Sequence, residues 1–267
     1  MRAHEAMPGL DTLRLFDSCL TLGRIVHSAY SPGLTADEAL ELMDRYHIAE
    51  ALVHEHDARL VYPREHANRR LLEAVAGRPR LHPAWVIEPP KSPGPDAARA
   101  LVATMLDAGV RAARLPMKAA PPLLWLWEDL CAALEEHRIP CFLDFGGVST
   151  SGEVSDGDVN GVREIALAHP ELPMILSQLF GGLGVHPAVV PLVRRTPNLY
   201  LDIAGILEFW REVAIGAGPE RVLFATGAPF ADPGIYISNV QYERRLNESA
   251  KGKIAGNNLR RLLEGVR

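Results

Sequence analysis

Pro140–Phe145 reads PCFLDF and Met174–Gln178 reads MILSQ, two short runs of consecutive apolar residues that each admit a polar side chain only near the end. A strand buried on both faces has this composition, because neither side of its pleat meets water. Six more such runs lie outward from this pair. LYLDIA (Leu199–Ala204) and VLFAT (Val222–Thr226) follow it, and LRLFDSC (Leu13–Cys19), EALVH (Glu50–His54), LHPAWVI (Leu81–Ile87) and AARL (Ala112–Leu115) precede it. The segments between them have helical periodicity. Thr35-Ala-Asp-Glu38 is a capping box that opens TADEALELMDRYH. HANRRLLEAVAG and AARALVATMLDAG end on Gly77 and Gly109, and LLWLWEDLCAALEEH places its apolar residues three and four apart. In that last helix Trp125 and Trp127 cannot share one core stripe, so one of them faces the mouth or a neighbouring subunit.

Eight buried strands alternating with helices predict an α/β chain folded as a single (β/α)8 TIM barrel over residues 1–267. A doubly wound open sheet is the alternative, and it is weakened because no GxGxxG or GxxxxGK[ST] follows the first strand. EPPKSPGPD (Glu88–Asp96) reads as a loop at the barrel mouth and STSGEVSDGDVNG (Ser149–Gly161) as a candidate lid. Gly181-Gly182-Leu183-Gly184 reads as a tight loop.

Composition narrows the function classes. Among 267 residues, 28 are Lys or Arg and 33 are Asp or Glu, a net charge of −5. Nucleic acid and anionic membrane are therefore not expected partners, since neutralising phosphates needs clustered basic residues. No apolar run reaches the roughly 18 residues of a membrane span. The N-terminal stretch carries Asp11 and Asp17 without an apolar signal core, and Cys19, Cys131 and Cys141 do not make a disulfide framework. A reducing cytoplasmic location is expected, with a small molecule as substrate or ligand. The apolar LLWLW segment permits a homodimer.

A barrel of this type carries its chemistry where the strands end. The polar side chains at those positions are Asp17, Cys19 and Thr21; His54, His56 and Glu88; Arg114 and Lys118; Asp144, Gln178, Asp202 and Thr226. His54 and His56 alternate on one strand and could face one metal, completed by Asp144 or Glu88, or they are one pocket histidine and one solvated one. Cys19 could be a thiol nucleophile activated by His54, or packing. Arg114 with Lys118 could clamp a carboxylate, or Arg114 could be the structural partner of Asp144 or Glu88. Asp144 or Asp202 could serve as a general base if burial raises its pKa, or could cap and pair.

Six segments, taken in order, resemble the amidohydrolase-related family of TIM-barrel hydrolases. They are GVRAARL (Gly109–Leu115), IPCFLDFG (Ile139–Gly146), HPELPMILSQLFGG (His169–Gly182), TPNLYLDIAG (Thr196–Gly205), ERVLFATGAPFADP (Glu220–Pro233) and KIAGNNLRRLL (Lys253–Leu263). The resemblance implies a metal-binding barrel whose ligands are an HxH pair on the first strand, histidines ending the fifth and sixth, and an aspartate ending the eighth. Aligned on these motifs, this chain has Cys19 and Thr21, Asp144, Gln178 and Gly227 at those places. All five differ, so the family's zinc is not carried over and no metal site is expected.

The expected function is metal-independent hydrolysis of a small carboxylated ester or lactone. Asp144, His54 and Asp202 are its catalytic candidates; Arg114, Lys118, Glu88, Gln178 and Cys19 are its substrate-binding candidates. A catalytically inactive barrel that binds a ligand or partner is the alternative. A hydrolase with zinc relocated to His54, His56 and Glu88 is the third reading.

Overall fold

The computed structural model describes residues 13–25, 33–59, 64–92, 94–146, 154–179, 186–207 and 209–267. Its strands follow the chain as β1 (Leu15–Arg24), β2 (Gly33–Leu34), β3 (Ile48–Glu55), β4 (Leu81–Pro83), β5 (Trp85–Val86), β6 (Ala113–Pro116), β7 (Cys141–Asp144), β8 (Met174–Ser177), β9 (Leu199–Asp202) and β10 (Val222–Leu223). The helices between and after them are α1 (Ala36–Arg45), α2 (Arg64–Val75), α3 (Pro95–Asp107), α4 (Leu124–Glu136), α5 (Asp156–Ala168), α6 (Val189–Arg195), α7 (Trp210–Ala217), α8 (Pro233–Tyr242), α9 (Glu248–Gly252) and α10 (Asn258–Glu264).

The fold is a TIM barrel. Two sheets, ordered β2-β1-β3-β4 and β10-β9-β8-β7-β6-β5, hold its strands, and every neighbouring pair is parallel except β2 against the end of β1. The sheets meet at two seams. At one, β4 passes into β5 through Ala84, whose N–H donates to the Val53 carbonyl at 2.8 Å. At the other, Ser18 N–H donates to the Phe224 carbonyl at 3.0 Å, Gly227 to Cys19 at 3.0 Å and Thr21 to Ala228 at 2.8 Å. First and last strands are thus hydrogen-bonded.

Period-two alternation then sorts the side chains. Phe16, Leu52, Ala84, Ala112, Phe142, Ile175, Tyr200 and Leu223, one from each barrel strand or its edge, pack as one apolar layer inside the ring. The residues between them face outward and form the larger core against the helices. Two positions further along β3, β6, β7, β8 and β9, the inward side chains are His54, Arg114, Asp144, Ser177 and Asp202. This polar layer lies on the side of the apolar one toward the strands' carboxyl ends.

The helix signals hold. Thr35 caps α1 in a complete capping box, and Gly77 and Gly109 follow their helices at φ 72° and 76°. Trp127 is buried and Trp125 is 74% exposed, which separates the two tryptophans as their spacing requires. The reading of Ser149–Gly161 as one loop is corrected: Ser155 caps α5 in a second capping box, and Asp156–Gly161 is helical. Residues 149–153 and the Gly181–Gly184 loop lie outside the described residues. No helix among the described residues is long and apolar enough to cross a membrane.

Candidate functional site

The polar layer is organised around Arg114. Its guanidinium meets Asp144 at two points, Nε to Oδ2 at 2.9 Å and Nη2 to Oδ1 at 2.6 Å. The remaining donor contacts go to the Ser18 carbonyl at 3.0 Å, the Ser177 hydroxyl at 2.8 Å and the Cys19 sulfur at 3.5 Å. Ser177 Oγ, which accepts from Arg114, donates in turn to Asp202 Oδ2 at 2.5 Å. Asp144, Arg114, Ser177 and Asp202 therefore form one continuous chain across four strands.

Burial sets the ionisation of this chain. It is the main cause that pushes the Asp202 carboxyl up to about 7, against the opposing pull of Ser177 and Arg114. Cys19 is driven up to about 12 by burial, so its thiol is a neutral group held by Gln178 Nε2 at 3.3 Å and by Arg114. His54 lies well below the usual histidine range, through burial and then through the charges of Arg114 and Arg59. It is a neutral imidazole. Its Nε2 pairs with Thr21 Oγ1 at 3.2 Å, while Nδ1 has no hydrogen-bond partner among the described residues.

Arg59 is a residue the strand-end reading missed. It closes the short 3-10 turn His56–Arg59 that follows β3, two residues past Asp57. Its Nε is 4.0 Å from Asp144 Oδ2, and its Nη2 donates to the Gly146 carbonyl. Two arginines thus converge on a single carboxylate that Arg114 already neutralises. Against the two guanidiniums stand Asp144 and, when ionised, Asp202, so positive charge is in surplus at the mouth only while Asp202 is protonated.

The other expected site residues separate. Glu88 does not join the polar layer: it pairs with Arg64 Nη1 at 2.8 Å on the outside of the barrel. Lys118 lies 3.8 Å from Asp158 and 5.9 Å from the centre of the Phe145 ring, whereas the Arg114 donors are engaged by Asp144, Ser18, Ser177 and Cys19. Cys19 touches Arg114 and Gln178, whereas the His54 ring nitrogen that bonds goes to Thr21, so the proposed Cys19–His54 pairing is corrected. His56 is buried with its ring 5.8 Å from that of Phe230. Asp17 accepts from Cys19 N–H at 2.9 Å, Thr226 N–H at 3.0 Å and the Thr226 hydroxyl, which makes it a tie across the seam of first and last strands.

The donor set at the family's ligand positions does not suit a divalent cation. Both Asp144 oxygens are taken by Arg114, the Cys19 thiol is protonated, Thr21 is bonded to His54, Gln178 presents its amide nitrogen, and Gly227 has no side chain. A fixed guanidinium beside them would repel a second cation. The third reading fails separately, because Glu88 is drawn away from His54 and His56. Among the described residues no group of three or more His, Cys, Asp and Glu side chains is arranged to hold a metal ion.

The sequence model of the family described as amidohydrolase matches residues 25–265. Several solved structures have the same fold. An uncharacterized TIM-barrel protein from Bordetella bronchiseptica is 20% identical with a TM-score of 0.70, covering 94% of this chain and 98% of that one. 5-Carboxyvanillate decarboxylase from Sphingomonas paucimobilis is 14% identical with a TM-score of 0.71, covering 96% and 100%. A dihydroxybenzoic acid decarboxylase from Polaromonas sp., solved with bound manganese and the inhibitor 2-nitroresorcinol, is 16% identical with a TM-score of 0.65, covering 94% and 96%. A search of curated proteins finds no match.

Proposed function

Because this chain belongs to the amidohydrolase family, we propose that its barrel mouth hydrolyses a small carboxylated ester or lactone without a metal, using Asp202 as the proton acceptor. The observation that carries this reading is Ser177 Oγ, bridged between Arg114 at 2.8 Å and Asp202 at 2.5 Å. A carboxyl poised near 7 matches the pKa a general base needs at neutral pH. Asp144, by contrast, would have to abandon a two-point ion pair before it could accept a proton, so it serves to fix Arg114.

In the reaction, water gives a proton to Ser177 Oγ as Ser177 passes its own to Asp202, and the water oxygen bonds to the ester carbonyl carbon. The tetrahedral adduct then expels the alkoxide, which takes the proton back along the same path. Arg114 supplies the fixed positive charge beside the developing oxyanion. Arg59 holds the substrate's carboxylate, and neutral His54 offers Nδ1 to a polar group of the substrate. That two structurally similar proteins are decarboxylases of aromatic acids supports a carboxylate-bearing ligand here.

A panel of lactones and activated esters tests this reading, with Asp202→Asn as the diagnostic variant. Turnover by the native protein, and its loss in a folded Asp202→Asn variant, is the expected result. Equal rates in the two proteins would contradict it. The alternative, an inactive barrel that binds a carboxylated ligand or a partner, is favoured by one observation: Arg114, Asp144, Ser177 and Asp202 are all at most 1% exposed. That reading gains if a carboxylate raises the melting temperature while no substrate turns over.

A further inference from the structure

Arg59 reaches Asp144 from the turn His56–Arg59, and that turn is held from behind by side chains outside the polar layer. Glu55, the last residue of β3, accepts the Ala58 N–H on Oε2 at 3.2 Å and Arg70 Nη2 on Oε1 at 2.7 Å. The same Arg70 nitrogen donates to Asp57 Oδ2 at 2.9 Å. One guanidinium on α2 therefore grips the two carboxylates that flank His56, and one of these accepts from the amide next to Arg59.

Burial makes this grip count. The Glu55 side chain is only 8% exposed, although that of Arg70 is 50% exposed. Gly23 leaves the space that Glu55 fills, since a Cβ there would lie 2.9 Å from Oε1. Burial pushes the Glu55 carboxyl up, and the hydrogen bond from Arg70 opposes this. An ion pair between two exposed groups contributes little, but taking the cation from a buried carboxylate leaves its charge unanswered. Ala58 packs on the same side, against Ala67 of α2 and Val86 of β5, so α2 is the wall on which the turn rests.

We infer, on the reading that Arg59 holds the substrate's carboxylate, that Arg70 is a positioning residue for Arg59 and so sets the mouth's affinity for carboxylate-bearing substrates. Without Arg70, Asp57 loses its ion pair and Glu55 becomes a buried charge answered by amide N–H groups. The turn is then free to carry Arg59 away from Asp144.

Two readouts on the full chain test this: the Arg59 Nε–H resonance, assigned from Arg59→Lys, and steady-state kinetics on paired esters with and without a carboxylate. Arg70→Gln shifts the resonance and speeds its exchange with solvent. It raises KM for the carboxylated ester about tenfold with kcat within about twofold, and leaves the uncarboxylated ester unchanged. Arg70→Lys, which keeps a point charge between Glu55 and Asp57, recovers most of both effects. Arg99→Gln, which removes a comparably exposed ion pair with Glu136, changes neither readout. Should Arg70→Gln not fold, Asp57→Asn shifts the resonance in its place. The proposal is overturned if the variant leaves the Arg59 resonance unmoved or the carboxylated ester's KM unchanged. It is equally overturned if both esters weaken alike, or if Arg70→Lys behaves like Arg70→Gln. If no ester turns over in the native chain, the hydrolase reading fails by itself, and the resonance alone decides the role of Arg70.

Discussion

Arg114 and Asp144 meet edge to edge across β6 and β7, with contacts of 2.9 and 2.6 Å, and neither side chain reaches solvent. Taking two charges out of water is unfavourable, and their attraction in the interior repays it only when the geometry is good and the other donors are satisfied. Here the guanidinium also has Ser18, Cys19 and Ser177 as partners. The pair is therefore a fixed feature of the barrel rather than a clamp waiting for substrate.

Breaking the pair from one side leaves a buried charge without its partner. Arg114→Met or Asp144→Leu alone should cost about 3–5 kcal/mol in urea unfolding at neutral pH, whereas the double variant should recover much of that loss. If either single variant unfolds like the native chain, the pair is not holding the barrel mouth.

Asp202 makes stability depend on pH in a defined direction. Its folded pKa of about 7 lies above the unfolded value of 3.8, so the native state holds this proton more tightly than the unfolded one. The group's contribution is fully present below about pH 4 and is lost as pH rises through about 7. Asp202→Asn, which never ionises, should therefore gain melting temperature relative to the native protein between those limits. A difference that does not change with pH would show that Asp202 titrates normally.

The seam between first and last strands gives a third expectation. Thr226→Val removes the hydroxyl that donates to Asp17 and that accepts from Ala228 N–H at 3.1 Å. It leaves polar groups buried without partners, at about 1–3 kcal/mol each. Chemical denaturation of the variant measures the loss. A change within about 0.5 kcal/mol would mean that water replaces the hydroxyl.

The two tryptophans of α4 offer an internal control. Trp127 is fully buried and its Nε1 donates to the Pro121 carbonyl at 3.0 Å, while Trp125 is 74% exposed. Trp127→Ala should cost about 3–5 kcal/mol, and Trp125→Ala should stay within about 0.5 kcal/mol. Equal costs would place Trp125 in a subunit contact.

The barrel was legible in the sequence because its strands announce themselves by buried apolar runs, and its helices by caps such as Thr35 and by glycines such as Gly77. The site was legible only in part. Arg114, Asp144 and Asp202 sit at strand ends on the inward phase, where alternation puts them. Ser177 has that phase too, yet it reads as an ordinary residue of MILSQ beside the more conspicuous Gln178. Strict alternation would turn Gln178 outward; a left-handed backbone at φ 54° brings its amide back to Cys19. Arg59 was hidden because it belongs to a 3-10 turn beyond the strand, where period-two logic no longer applies. Glu88 was misplaced for a related reason: the third strand is interrupted at Ala84, and the side chain beyond it is captured by Arg64.

In the function proposed for this barrel, Arg114 rather than a metal ion is the fixed cation at its head. Elemental analysis tests it most directly, on protein produced with added zinc and manganese and purified without chelator. Far less than stoichiometric metal, in a protein that still turns over lactone or ester, is the predicted result. Stoichiometric zinc or manganese, lost together with activity on dialysis against a chelator, would contradict the account.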